Sequence, residues 1–206
     1  MEQEYKYKLP ENVYDAVFNE CLAGQPFHHI EMDARYLDTP SGFLYQHHTS
    51  LRLRREVTDG VPETVACIKI PAPQDQFGGA LRHRLEYECA VDSLLPAFDM
   101  LPIPETVMYA LTASGAPENI LSVAWQEGFL DKARVVYTRL ELLRQYGNAE
   151  FTLCLDRGLL GTHPFSELEV EHKNGCFEDT ERFAAELAEK FRLEPQPLSK
   201  LARALA

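Results

Sequence analysis

The sequence predicts an α+β fold: roughly eight strands, mainly antiparallel, forming a barrel with a charged interior and helices packed outside. Three observations predict it. Five stretches place ionisable side chains two apart: Glu2, Glu4 and Lys6; Arg52 and Arg54; Arg82, Arg84, Glu86 and Glu88; Lys132 and Arg134; Glu167, Glu169 and Glu171. Residues i, i+2 and i+4 of a strand share a face, so each stretch builds one charged and one apolar face. The charged faces mix Arg with Glu, and the Arg pairs are flanked by Leu on the opposite side. Amphipathic helices also need an apolar surface to cover, and only the outer strand faces remain to provide it. A barrel with its charges inside meets both demands.

Residues 2–9 form the first predicted strand, closed by Pro10. Residues 12–22 fit an amphipathic helix, with Val13, Val17 and Cys21 on one stripe, ended by Gly24 and Pro26. A strand over 28–37 meets the turn Asp38-Thr39-Pro40-Ser41-Gly42. Strands over 49–57 and 63–70 flank the hairpin signal Thr58-Asp59-Gly60. Residues 71–79 are a loop and 82–91 the next strand. Prolines 96, 102, 104 and 117 divide residues 93–128 into short helical pieces. Strands resume over 130–140, 150–156 and 167–173, with residues 144–148 as a turn. Residues 178–192 form the strongest helix, with Phe183, Leu187 and Phe191 four apart and Thr180 or Asp179 available as a cap. No composition shift marks a linker, so residues 1–206 are expected to form a single domain.

Hydrophobic residues make up 45% of the 206 and charged residues 25%, which is ordinary for a globular chain. A net charge of −12 opposes nonspecific nucleic-acid binding. It leaves room for a locally positive cavity, because most alternating stretches carry cations. The five scattered cysteines lack CxxC spacing and fit reduced, mostly buried thiols. No apolar run suits a signal peptide or a membrane span, so the expected location is the cytoplasm. The pairs His28-His29 and His47-His48 lack the spacing of a metal site, and adjacent strand residues face opposite ways, so packing explains them better. There is no GxxxxGK[ST] loop, so phosphate binding would have to come from side chains.

An ordered set of motifs spans the chain. Glu2-Gln3-Glu4-Tyr5-Lys6 has the form ExExK, Tyr36-Leu37-Asp38-Thr39-Pro40 the form of a YFDTP turn, and Leu51-Arg52-Leu53-Arg54 is LRLR. Ile68-Lys69 stands in a TLK-like position, with Cys67 replacing Thr. Arg84-x-Glu86-x-Glu88, Lys132-x-Arg134, Leu155-Asp156-Arg157-Gly158, Glu167-Leu168-Glu169-Val170-Glu171 and Ser199-Lys200-x-x-Arg203 follow. Taken together, these residues resemble the CYTH, or triphosphate tunnel metalloenzyme, superfamily. Ala204 departs from the Gly often found after the closing motif.

The resemblance implies a closed tunnel of eight antiparallel strands that binds a triphosphate together with Mg²⁺ or Mn²⁺. Glu2 and Glu4 with Glu167 and Glu169 are the candidate metal shell, completed by Glu171 and Asp156. Hard divalent ions prefer such carboxylate oxygens. Lys6, Arg52, Arg54, Lys69, Arg84, Lys132, Arg134 and Lys200 would bind phosphate oxygens, the arginines as forks and the lysines as point charges. Glu2, Glu4, Lys6 and Lys200 are the candidate catalytic residues, with Glu86, Glu88 and Arg203 in support. Arg82 is expected at the rim, and Arg139 and Lys173 in solvent.

The expected function is metal-dependent hydrolysis of a triphosphate, inorganic triphosphate first. Thiamine or nucleoside triphosphates are alternative substrates, and a class IV-type adenylyl cyclase is an alternative reaction. A non-enzymatic polyphosphate or nucleotide sensor is a further alternative. The expected partner is a small-molecule triphosphate, with no nucleic acid and no membrane; the sequence leaves the oligomeric state open.

Overall fold

The computed structural model describes residues 1–73, 79–91, 103 and 105–206. Eight strands close into one antiparallel barrel: β1 (Glu2–Lys8), β2 (His28–Asp38), β3 (Ser50–Thr58), β4 (Val61–Pro71), β5 (Leu81–Ala90), β6 (Leu130–Tyr146), β7 (Ala149–Leu160) and β8 (His163–Gly175). Around the barrel they run β1-β5-β4-β3-β2-β6-β7-β8, and β8 returns to β1. The helices are α1 (Glu11–Cys21), α2 (Phe43–Gln46), α3 (Glu105–Ala113), α4 (Glu118–Glu127), α5 (Phe177–Phe191) and α6 (Lys200–Ala204). Residues 74–78 of the expected loop, and residues 93–102 and 104 of the expected helical pieces, lie outside the described residues.

Two apolar cores lie on the outside of the barrel. α1 and α5 cover β1, β7 and β8 through Val17, Leu22, Phe183 and Leu187 packed on Tyr5, Phe151, Leu153 and Leu168. α2, α3 and α4 cover β3 and β4 through Leu44, Leu111 and Leu121 on Leu51, Leu53 and Ile68. On both sides the strand residues alternate with charged neighbours that therefore face the lumen. A third cluster differs: Ile30, Met32, Ala34, Tyr36, Val135, Tyr137, Leu160, Phe165 and Leu201 are buried together. Part of the barrel's inner wall, on β2 and β6, is thus apolar, and α6 adds Leu201 to it.

Three details depart from the sequence reading. α2 is a four-residue helix that follows the turn at residues 38–42. It is held by Asp38, whose carboxylate accepts from the backbone N–H groups of Thr39, Leu44 and Tyr45 at 2.7, 2.8 and 3.0 Å. β6, β7 and β8 run to 17, 12 and 13 residues, longer than predicted, because the β6–β7 turn narrows to Gly147-Asn148. Helix α5 starts after Cys176 without a side-chain cap. Asp179 instead accepts from the Asn148 N–H at 2.8 Å and tethers the helix to that turn.

Candidate active site

The barrel encloses a cavity of about 890 Å³. Glu2, Glu4 and Lys6 line it from β1, Arg52, Arg54 and Glu56 from β3, and Lys69 from β4. β5 contributes Arg82, Arg84, Glu86 and Glu88, β6 Tyr137, Arg139 and Glu141, and β8 Glu169, Glu171 and Lys173. The segment 196–202, entering α6, lines it as well. Register explains the convergence: Glu2 lies opposite Arg84 and Glu4 opposite Arg82, while Lys6 faces Glu169 across β8.

Within the lumen, cations and carboxylates are interleaved. Lys6 Nζ lies 3.1 Å from Glu4 Oε1 and 3.0 Å from Glu169 Oε1. Lys69 donates to Glu2 at 2.7 and 2.9 Å and lies 3.0 Å from Glu86. Arg139 forks onto Asp156 at 2.7 and 2.8 Å and also donates to Glu169. Lys200, on α6, lies 2.8 Å from Asp156 and 3.0 Å from Glu169, and it contacts Glu167, which Arg203 also engages. Arg54 pairs with Glu56 and lies 3.0 Å from Glu88, and Arg52 reaches Glu86 at 3.4 Å. Arg84 donates to the His48 carbonyl at 3.4 Å.

These charges perturb one another. Burial alone would lower the Lys6 amine, but Glu169 and Glu4 outweigh it and hold it above the ordinary lysine range. Burial would likewise lower Lys200, yet Asp156, Glu167 and Glu169 hold it well above that range. Burial would raise Glu169, but Lys200, Lys6 and Arg139 pull it well below the usual carboxylate value. Burial dominates at Glu4 and pushes its carboxyl up, against the pull of Lys6. It also dominates at Glu167 and Glu171, and both are raised. Burial raises these carboxyls because it disfavours the charged form.

Asp156, Glu167 and Glu169 each offer an oxygen, all within 4.8 Å of one another. The donor set is carboxylate throughout and fully buried, which suits a hard divalent cation. Cys67, Glu86 and Glu88 form a second such group, with a thiol in place of one carboxylate; cations engage both groups, Lys69 and Arg52 at Glu86 and Lys200, Arg139 and Arg203 at the first. Burial pushes the Cys67 thiol up to about 12, so it stays protonated and donates to Glu86 at 3.1 Å.

Most expected site residues line this cavity, with clear exceptions, beginning with Asp156 and Glu167, which are fully buried and reach it only through their contacts with Lys200 and Arg139. Arg134 points outward: it forks onto Asp33 of β2 at 2.8 and 2.6 Å, and half its side chain is exposed. Lys132 does not line the cavity either; it falls where the β2–β6 register shifts, between Ala133 and Asp131. The inward residues of β6 are Val135, Tyr137, Arg139 and Glu141, so Arg139, expected in solvent, belongs to the site. Arg82 is no rim residue: it is 5% exposed and lines the cavity. Lys173 lines the cavity mouth and pairs with Glu171 at 2.6 Å. Arg139 carried a usable signal, because Arg139 and Glu141 alternate on one face of the strand.

The chain is thus a closed antiparallel barrel whose lumen interleaves cations and carboxylates around one cavity. The sequence matches the CYTH domain family over residues 1–205, and the chain belongs to that family. HpAC1 from Hippeastrum, an adenylyl cyclase candidate described as having a dominant triphosphatase activity, is structurally similar. It aligns at TM-score 0.63 and 21% identity over 98% of this chain and 94% of its own. An adenylate cyclase candidate from Bacillus halodurans aligns at 0.59 and 17%, over 95% and 92%. PH1819 protein from Pyrococcus horikoshii aligns at 0.58 and 18%, over 100% and 98%. A search of curated proteins returned no match.

Proposed function

We propose that this CYTH protein hydrolyses a phosphoanhydride bond of a triphosphate in a divalent-metal-dependent reaction. The observation that carries this reading is the lumen itself, where Lys6, Arg52, Arg54, Lys69, Arg84, Arg139 and Lys200 surround one cavity with buried carboxylates among them. A simple anion binder would gain nothing from those carboxylates, whereas a metal–triphosphate complex uses both signs. Arginine forks grip phosphate oxygens in a fixed orientation, and Lys6 and Lys200 neutralise charge that builds on the oxygens during transfer. Asp156, Glu167 and Glu169 would hold Mg²⁺ or Mn²⁺, with Glu2, Glu4 and Glu171 lining the same cavity as Glu169. When bound, the ion supplies Lewis acidity that polarises the phosphoryl group and acidifies water. Leu160, Phe165 and Leu201 line part of the interior with apolar surface and restrict bulk water there.

Inorganic triphosphate is the first substrate to test. A second reading, hydrolysis or cyclisation of an organic triphosphate, is favoured by the apolar wall of Ile30, Met32, Tyr36 and Tyr137 along the same cavity. Phosphate release from inorganic triphosphate, ATP and thiamine triphosphate, with and without Mg²⁺ or Mn²⁺, tests both. Metal-dependent phosphate release supports hydrolysis, and cyclic AMP with pyrophosphate supports the cyclase. Tight binding without turnover of any of them would overturn the enzymatic reading in favour of a sensor.

A further inference from the structure

One inward-facing group stands apart from the ion pairs. Tyr137 is 5% exposed and lines the cavity, between Val135 and Arg139 on the inner stripe of β6. Its ring is well held. It packs edge-on against Phe165, with centroids 5.9 Å apart, and Lys200 Nζ lies 5.1 Å from its centroid. The Arg139 guanidinium lies 6.0 Å away on the same ring. Across the sheet its register partner is Gly158, where a Cβ would overlap the Tyr137 Cα and Cβ and the Val136 carbonyl oxygen. A residue without a side chain is therefore required opposite this tyrosine.

The hydroxyl is another matter. Among the described residues, none forms a hydrogen bond with it. The oxygen is not sealed off in the way the Tyr5 hydroxyl is, so the open side it faces is the cavity it lines. Arg139, Lys200 and Arg52 around it donate and do not accept, and the one carboxylate it also senses, Asp156, is already held by Arg139 and Lys200. The hydroxyl is close enough to Arg139, Lys200 and Arg52 to sense their charges, and burial keeps it protonated against them. The group facing the lumen is thus a neutral donor set among the cations proposed to grip phosphate.

We propose that Tyr137 is a substrate-contacting residue whose hydroxyl donates a hydrogen bond to an oxygen of the bound triphosphate, between Arg52, Arg139 and Lys200. This rests on the triphosphate reading of the site. It adds a directional, uncharged contact to a lumen otherwise recognised by charge, and one that orthophosphate bound elsewhere along the tunnel would not engage.

Tyr137→Phe isolates the contact, because it keeps the ring that packs on Phe165 and Lys200 and removes only an oxygen that no described residue uses. The readout is calorimetric binding of inorganic triphosphate, with phosphate release measured in parallel. A hydrogen bond to a charged acceptor predicts affinity about 10- to 100-fold weaker in Tyr137→Phe. The melting temperature of the ligand-free protein should be unchanged or slightly higher, which a merely structural hydroxyl would not give. Equal affinity in wild type and variant overturns the proposal and leaves the triphosphate reading intact. A wild-type protein that binds no triphosphate overturns both. A variant that loses affinity together with ligand-free stability also counts against the proposal, since it places the hydroxyl in the fold.

Discussion

Arg139 and Asp156 face each other across β6 and β7 in a two-pronged ion pair at 2.7 and 2.8 Å, and Asp156 has no exposed surface. Removing the arginine would leave a buried carboxylate with Lys200 as its remaining cation. Arg139→Ala is therefore expected to destabilise the protein by about 3 kcal/mol in chemical denaturation, the lower end for a broken buried pair. It should also reduce kcat/KM by about 100-fold, as expected for loss of a preorganised donor. Arg134→Ala, which removes an exposed pair on the outer wall, should change stability by less than about 1 kcal/mol and leave activity within twofold. Equal effects from the two substitutions would show that the lumen assignment on β6 is wrong.

The lumen cations are already engaged by lumen carboxylates, so each ligand should help the other. On the proposed function, a triphosphate would draw Lys6, Lys69 and Lys200 toward itself and leave Glu4, Glu2 and Glu169, their present partners, more available to a cation. Calorimetric titration of triphosphate with and without Mg²⁺ should show at least a tenfold mutual gain in affinity, about 1.4 kcal/mol of coupling. Independent binding would contradict it.

Without metal, stability should peak at mildly acidic pH. Burial raises Glu4, Glu167 and Glu171 in the folded state, so that state holds more protons than the unfolded chain above the free glutamate value of about 4.3. Stability therefore falls as pH rises through their folded values. Glu88, Glu86 and Glu169 act in the opposite sense: burial would raise each, but Arg54 and Arg52 hold Glu88 down at about 2, Lys69 and Arg52 lower Glu86, and Lys200, Lys6 and Arg139 lower Glu169. Their contribution is present above the unfolded value and lost as pH falls toward the folded ones. The lysines Lys6, Lys69 and Lys200, all raised, contribute fully below about 10.4 and add no slope at neutral pH. Melting temperatures measured across pH 4–8 in chelator and then in Mn²⁺ should show the acidic maximum move upward with metal. A curve in chelator that keeps rising to neutrality would rule this out.

Gly158→Ala should be poorly tolerated although the change is a single methyl group. The added carbon would meet β6 backbone atoms, which cannot move aside as a flexible side chain would. Overpacking of this kind costs about 1–3 kcal/mol. Thermal denaturation checks the stability, and lost activity without lost stability would trace the effect to Tyr137 instead.

Much of the site is legible in the sequence because parity and burial agree on most strands. On β1, β3, β5 and β8 the charged stripe faces the lumen and the apolar stripe faces a helix, as with Arg52 and Arg54 against Leu51 and Leu53. On β2 and β6 the relation inverts. On the outer face Arg134 pairs with Asp33 and the buried Arg35 with Asp131, so ion pairing stabilises charge there, and the inner wall along β2 and the start of β6 is apolar instead. Alternation reports two faces but not which one is inside, and the register shift at Tyr36/Leu37 moves the phase of Lys132 as well. Helix α2 escaped notice for another reason: four residues carry too little periodicity to read, and it exists because Asp38 supplies its hydrogen-bond acceptors.

The paired lumen has a consequence for what leaves it. An anion entering the barrel must compete with internal counter-ions that are close and well oriented, such as Glu169 beside Lys6 and Lys200. A polyanion that spans several cations can displace those counter-ions at once, while a short fragment engages too few to do so. On the proposed function, the internal ion pairs would re-form behind a departing fragment and keep it from lingering in the barrel.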